Sequence, residues 1–263
     1  MNETSRRKLA RGIHGLAGLV ILAAALAAAG DEGTPDPELP TSEFHFVRLE
    51  YTDAGGFGGF PGRGFGHWLV DYPDAEYHFT QGVRRLSNIN IDDDARMLSL
   101  KDDALFNYPW LYAVEVGHWY LSDEEAKRLR EYLLRGGFLM VDDFHGPEEW
   151  QVFMDSMTRV FPDRPVVDIP ADDPILHVVF DMDTTVQIPG IRPLLMGVTY
   201  EYGGKVPHWR GVYDDDGRLM VIIDHNMDLG DSWELADDPI YPEHYTTLGY
   251  RFAVNYAVYS MTH

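Results

Sequence analysis

The chain of 263 residues contains no cysteine. That absence excludes a disulfide framework, a lipidated N-terminal cysteine and any thiol nucleophile. Positive charge is scarce as well: 21 Lys and Arg stand against 43 Asp and Glu, giving a formal net charge of −22. A field of that sign repels nucleic acid and anionic lipid surfaces, and it suits cations. Long apolar runs are missing. The longest, from Gly15 to Ala29, falls short of the roughly 20 residues a spanning helix needs. There is no Gly-x-Ser-x-Gly elbow and no His-Glu-x-x-His helix, so neither a serine-hydrolase nucleophile nor a zinc-protease site is indicated. Aromatics at 13% and hydrophobics at 45% supply ample material for a packed core.

The N-terminus reads as a targeting segment. Arg6, Arg7, Lys8 and Arg11 precede the apolar run, which ends in Ala27-Ala28-Ala29, a small-residue cleavage pattern. Residues 1–29 are therefore expected to be a secretory signal peptide, with an uncleaved anchor as the alternative. Ser5-Arg6-Arg7-Lys8-Leu9 also resembles a twin-arginine signal, so the export route stays open. Cleavage would remove four positive charges and one negative, leaving a mature chain of −25 in the periplasm or outside the cell. No stable membrane insertion is expected after it. Residues 30–43 are Pro-rich and acidic, which predicts a disordered linker.

Residues 44–263 show no second break and are read as a single domain. Phe44–Tyr51 opens it as a strand. The glycine-rich run Gly55–Gly66 lacks the spacing of a phosphate-binding loop and is read as a surface loop. Trp110–Val116 and Phe138–Val141 are continuous apolar runs, as buried parallel strands are. Between them, Ser122 with Glu125 forms a capping box, Ala126, Leu129 and Leu133 make an apolar stripe, and Gly136-Gly137 stops the helix. Pro147 starts another helix, to about Val160. Pro165–Ile169 and Ile175–Phe180 read as short extended segments, Tyr213–Gly217 as a turn and Arg218–Asp224 as a central strand. Pro242 begins a last helix, whose Leu248, Phe252, Tyr256 and Tyr259 would pack on the sheet. Strands alternating with helices predict a three-layer α/β/α sandwich around a mostly parallel sheet.

In such sheets, ligands bind at the carboxyl ends of the strands. Two polar turns are expected there. The first carries Asp142, Asp143 and His145. The second runs from Asp224 through His225, Asn226, Asp228 and Asp231 to Glu234. Asp142, Asp143, His145, Asp224 and His225 are the candidate catalytic groups, since an Asp–His couple such as Asp143–His145 or Asp224–His225 suits acid–base work. Asp224, Asn226 and Asp228 alternate as the first ligands of a calcium loop do, although Gly230 and Glu234 then fall out of register. With Asp231 they form a candidate set for a divalent cation, the one cofactor class the sequence suggests. Trp68, Trp150, Trp209 and Trp233, with Tyr72, Tyr77 and Tyr241, lie in or beside predicted loops, where rings flanked by carboxylates would suit sugar faces.

Several motifs, Phe46-Val47-Arg48-Leu49, Asp71-Tyr72-Pro73-Asp74-Ala75, Gly136 to Gly146, Asn226 to Glu234 and Asn255 to His263, resemble a bacterial family, the domain of unknown function numbered 4159. The resemblance implies an exported protein with a class I glutamine amidotransferase-like, or flavodoxin-like, sheet, and it supplies no catalytic residue. A looser similarity runs to trehalose-utilisation-like proteins, through the order of Gly136, Gly137, Phe138–Val141 and His145. True amidotransferases carry a cysteine at the strand-to-helix elbow. Here the elbow is Asp142-Asp143-Phe144, so glutamine hydrolysis by that mechanism is excluded. Candidate ligand contacts are Arg48, Trp68, Asp71, Tyr72, Trp150, Trp233 and Glu234. The expected function is a cell-envelope module binding a carbohydrate-like small molecule or a protein partner, with no nucleic acid. The alternative is a hydrolase or lyase working through the Asp/His cluster, with or without a divalent metal.

Overall fold

The computed structural model describes residues 42–54, 66–182 and 184–263. The expected signal peptide, nearly all of the linker and most of the glycine-rich run lie outside them. In chain order the strands are β1 (Val47–Glu50), β2 (Thr52–Asp53), β3 (Arg96–Ser99), β4 (Trp110–Val114), β5 (Trp119–Tyr120), β6 (Phe138–Asp142), β7 (Val167–Asp168), β8 (His208–Tyr213) and β9 (Leu219–His225). The described helices are α1 (Asp74–Leu86), α2 (Asp123–Leu134), α3 (Gly146–Val160), α4 (Ile191–Leu195), α5 (Leu229–Glu234) and α6 (Glu243–Thr262).

Seven strands form one sheet in the order β3-β1-β4-β6-β9-β8-β7, and β2 pairs with β5 in a separate two-stranded ribbon. From β3 to β9 all neighbours run parallel, while β8 is antiparallel to both β9 and β7. The central strands β4, β6 and β9 are buried at every residue, which is why they read as unbroken apolar runs.

Alternation then divides each strand between two cores. Trp110, Tyr112, Phe138, Met140 and Ile222 join Phe79 and Val83 of α1, Trp233 of α5 and Phe252 and Tyr256 of α6. Leu111, Ala113, Leu139, Val141 and Ile223 join Leu129 and Leu133 of α2 and Phe153 and Met157 of α3. The protein is thus an α/β fold on a mostly parallel sheet, with apolar clusters on both sheet faces. No described helix is long and apolar enough to cross a membrane.

Local signals hold where expected. Ser122 and Glu125 make the reciprocal capping box of α2, and Gly136 takes a φ of +109°, a conformation open to glycine. Three readings need correction. Ile175–Phe180 is not a strand; Asp173 caps a short 3-10 turn over Pro174–Leu176 by accepting from Ile175 N–H. The second polar turn is not a plain loop. Asp228 accepts from the Asp231 N–H at 2.7 Å and so caps α5. The third concerns Trp209, which lies within β8 instead of a loop.

Candidate functional site

The parallel strands all deliver their carboxyl ends to one edge of the sheet. There the backbone turns sharply. Glu115 after β4, Asp143 after β6 and Asn226 after β9 adopt φ values of +53°, +51° and +66°, and Asp71, ahead of α1, takes +66°. Left-handed backbone is uncommon outside glycine, and Asp and Asn tolerate it best. Each of these turns lifts a polar side chain off the end of the apolar core.

Five carboxylates gather there. One oxygen from each of Asp71, Asp143 and Asp228 lies within 4.8 Å of the others, and the same holds for Asp71, Asp231 and Glu234. The turns at 142–145 and 228–234 meet directly, since Gly230 N–H donates to Asp142 Oδ2 at 2.8 Å. Burial, reinforced by neighbouring carboxylates, raises Asp71, Asp143 and Asp228 well above the usual carboxylate range. Burial and then Asp231 push Glu234 to about 7. A flanking group of acids behaves alike: burial and then Glu149 raise Glu115 to about 8, and burial raises Glu149 to about 7.

The chain from Gln187 to Val206 closes over this edge. Ile191 N–H donates to Asp231 Oδ2 at 2.6 Å, Tyr241 OH to the Pro189 carbonyl at 2.7 Å, and Asp228 N–H to the Ile188 carbonyl at 3.0 Å. Gly190 makes the approach possible. A Cβ there would stand 2.7 Å from Asp228 Oδ2 and 3.2 Å from both Asp231 Oδ2 and Glu201 Oε1. Arg192, from α4, supplies positive charge facing Glu115 and Glu201. Glu115 and this covering segment were not singled out from the sequence. An acid closing the apolar run Trp110–Val114 was the available sign; the segment itself has no periodic pattern.

The Asp143–His145 couple forms, with Nε2 3.0 Å from Asp143 Oδ1. Burial and the adjacent His225 lower His145 to about 3, so the ring is neutral and one proton lies between the pair. The Asp224–His225 couple does not form, because successive strand residues face opposite ways. Asp224 is fully buried and accepts from Tyr256 OH at 3.0 Å. His225 lies on the other side, 4.7 Å from the Trp150 ring, with Nε2 3.2 Å from the Gly146 carbonyl. Asp142, also fully buried, accepts from Gly230 N–H and, at 3.4 Å, from Tyr112 OH.

The calcium-like set Asp224, Asn226, Asp228 and Asp231 is not assembled either. Asn226 is occupied elsewhere: its Oδ1 accepts from Gly146 N–H and its Nδ2 donates to the Val206 carbonyl, both at 2.8 Å. Asp228 and Asp231 instead meet Asp71, a residue expected only as a ligand contact.

Arg48 is a structural anchor. It is fully buried, pairs with Glu76, and donates to the Trp68 and Val70 carbonyls at 2.8 and 2.9 Å. It thereby fixes the segment that ends in Asp71. Three of the seven expected rim aromatics are buried instead. Trp233 is 0% exposed in the core beside Phe79 and Tyr112, and Trp209 stacks on Phe252. Their size placed them inside, where apolar contact outweighs any loop role. Tyr241 is buried as well, whereas Tyr72 and Tyr77 are exposed and Trp68 is half-buried. Trp150, half-buried, stacks with Phe144 and carries Arg210 at 4.5 Å above its ring.

The family described as Domain of unknown function (DUF4159) matches residues 45–261, so the chain belongs to it. No curated protein matches the chain.

Proposed function

We propose that this member of the DUF4159 family is an exported cell-envelope binding module, a three-layer α/β/α sandwich of the class I glutamine amidotransferase-like type. Its ligand site is the acidic cleft at the carboxyl edge of the sheet. One observation carries the reading: Asp71, Asp143, Asp228, Asp231 and Glu234, drawn from three separate parts of the chain, converge under the Gln187–Val206 segment. Glu234, raised to about 7 by burial and by Asp231, exists near neutral pH as both acid and carboxylate, so the cleft offers a hydrogen-bond donor and acceptors together. That pairing suits a hydroxyl-rich or amino-bearing small molecule such as a sugar. The acidic composition, with 43 Asp and Glu against 21 Lys and Arg, and the signal-like N-terminus support an exported, acidic module.

Calorimetric titration of the full chain with neutral and amino sugars tests this. Wild type should bind at least one, and Asp143→Asn should weaken that binding tenfold or more. Equal affinity in the variant overturns the assignment of the cleft.

The Asp143–His145 geometry favours a second reading, a hydrolase or lyase. Asp143 would exchange a proton with substrate while His145 holds its carboxyl in place. Asp224, sealed beneath Tyr256, has no access to substrate. Turnover of a bound sugar that is lost in His145→Asn, with affinity kept, would select the enzyme over the binding module.

A further inference from the structure

We propose that the cleft holds one hard divalent cation, ligated by Asp71, Asp143 and Asp228. The inference deepens the binding reading and shares with it only the location of the site.

The geometry fits. Oxygens in the coordination sphere of a calcium ion lie about 2.3–2.6 Å from the metal, so opposite ligands stand roughly 4.6–5.2 Å apart. The three carboxylates already have oxygens within 4.8 Å of one another, and no main-chain movement is needed to share a centre.

Each carboxylate also has coordinating capacity left. Asp143 Oδ1 is engaged by His145 and Asp228 Oδ1 by the Asp231 N–H, while the second oxygen of each accepts no hydrogen bond among the described residues. Asp71 supplies an independent sign. Its Oδ2 is shut off from solvent and has no hydrogen-bond partner. It points at Gly230, where an added Cβ would collide with it, and Asp228 Oδ1 and Tyr112 OH border the same spot. A buried carboxylate oxygen without a donor is costly unless something positive meets it. Arg48 does not meet it: its Nε is paired with Glu76, its Nη1 donates to the Trp68 and Val70 carbonyls, and its Nη2, itself without a partner, makes no hydrogen bond to Asp71.

The donor set decides the ion. Three carboxylate oxygens with no thiolate favour calcium or magnesium over zinc. In the second triad, Asp231 Oδ2 already accepts from Ile191 N–H, and Glu234 is half-buried. We therefore assign that triad to the mouth of the cleft instead of the ion.

The test uses the full-length protein stripped with EDTA, then titrated with calcium, magnesium, manganese or zinc chloride. Thermal unfolding and calorimetry are the readouts. Calcium or magnesium should raise the melting midpoint by several degrees with a stoichiometry of one. Asp71→Asn and Asp143→Asn should each lose tenfold or more in cation affinity. Without cation, Asp71→Asn should melt at or above wild type, since one repelling charge is gone; that shows the variant folds. The inference falls if no cation binds, if zinc alone does, or if both variants respond like wild type. Sugar binding that persists unchanged in EDTA, with no cation bound, overturns the ion and keeps the cleft. Cation binding without any sugar binding keeps the ion and overturns the carbohydrate reading.

Discussion

Arg48 offers the sharpest test of how the cleft is held together. Its guanidinium is sealed beneath the 68–71 segment, paired with Glu76, bonded to two carbonyls and 5.1 Å from the Tyr112 ring centroid. In Arg48→Met the side chain still fills space, but Glu76, 2% exposed, becomes a buried charge with no partner. Breaking one side of a buried pair costs about 3–5 kcal/mol. Against a domain stability of roughly 5–15 kcal/mol, that leaves a folded but weakened protein. With a urea slope of about 2–3 kcal/mol/M, the midpoint should drop by about 1.5 M, followed by tryptophan fluorescence. Adding Glu76→Leu should recover at least half of the loss, because an apolar pair needs no compensation. Arg48→Lys should not rescue, since a single ammonium cannot reach Glu76 and two carbonyls in a fixed fork. A loss below about 1 kcal/mol, or a double variant no better than the single, would refute the anchoring role. If Arg48 met ligand instead, stability would hold and only affinity would fall.

Other consequences are as direct. Glu115 and Glu149 sit at about 8 and 7, above the ordinary value of 4.5, so the fold favours their neutral forms. The stability this represents is complete below about pH 4.5 and is lost as pH rises through 7 to 8. In chelator, the melting midpoint should therefore fall between about pH 4.5 and 8, and Glu115→Gln should flatten the curve; a flat wild-type profile contradicts the raised values. Asn226→Ala removes two hydrogen bonds from a left-handed turn and should cost about 2–3 kcal/mol in thermal unfolding, with Asn226→Asp costing less. Trp233→Ala should cost about 3–5 kcal/mol as a core truncation, whereas a ring serving only to stack on ligand would leave the melting midpoint unmoved.

The central sheet was legible because β4, β6 and β9 are apolar at nearly every position, and only a strand buried on both faces needs that. The Ser122–Glu125 box and Gly136 were legible for local reasons, since a cap and a positive φ depend on a few neighbouring residues. Edge strands were harder. Arg96–Ser99 is half-covered and carries no clean alternation, and Val167–Asp168 is only a two-residue pairing. The turn after β9 misled for a specific reason. Alternate acids suggest a calcium loop only if they share one loop, yet Asp224 still belongs to the strand and Asn226 is spent bridging Gly146 to Val206. The carboxylates that do meet depend on Asp71, whose position is set by a buried arginine from another strand. No spacing rule in the sequence encodes that contact.

The strand order carries a consequence for how the chain is made. β9 lies between β6 and β8 in the sheet, although it is the last strand to be synthesised. Until residues 219–225 emerge, β6 presents one edge of unpaired N–H and C=O groups on a strand apolar up to its closing Asp142, the kind of edge that recruits other chains. The Asp71 and Asp143 turns are by then already made, but Asp228 follows β9 directly. Closing the sheet and completing the carboxylate cluster are therefore one event. A nascent or clipped chain that stops short of β9 would be sticky and siteless at once, and the intact cleft is a chemical record that the sheet has closed.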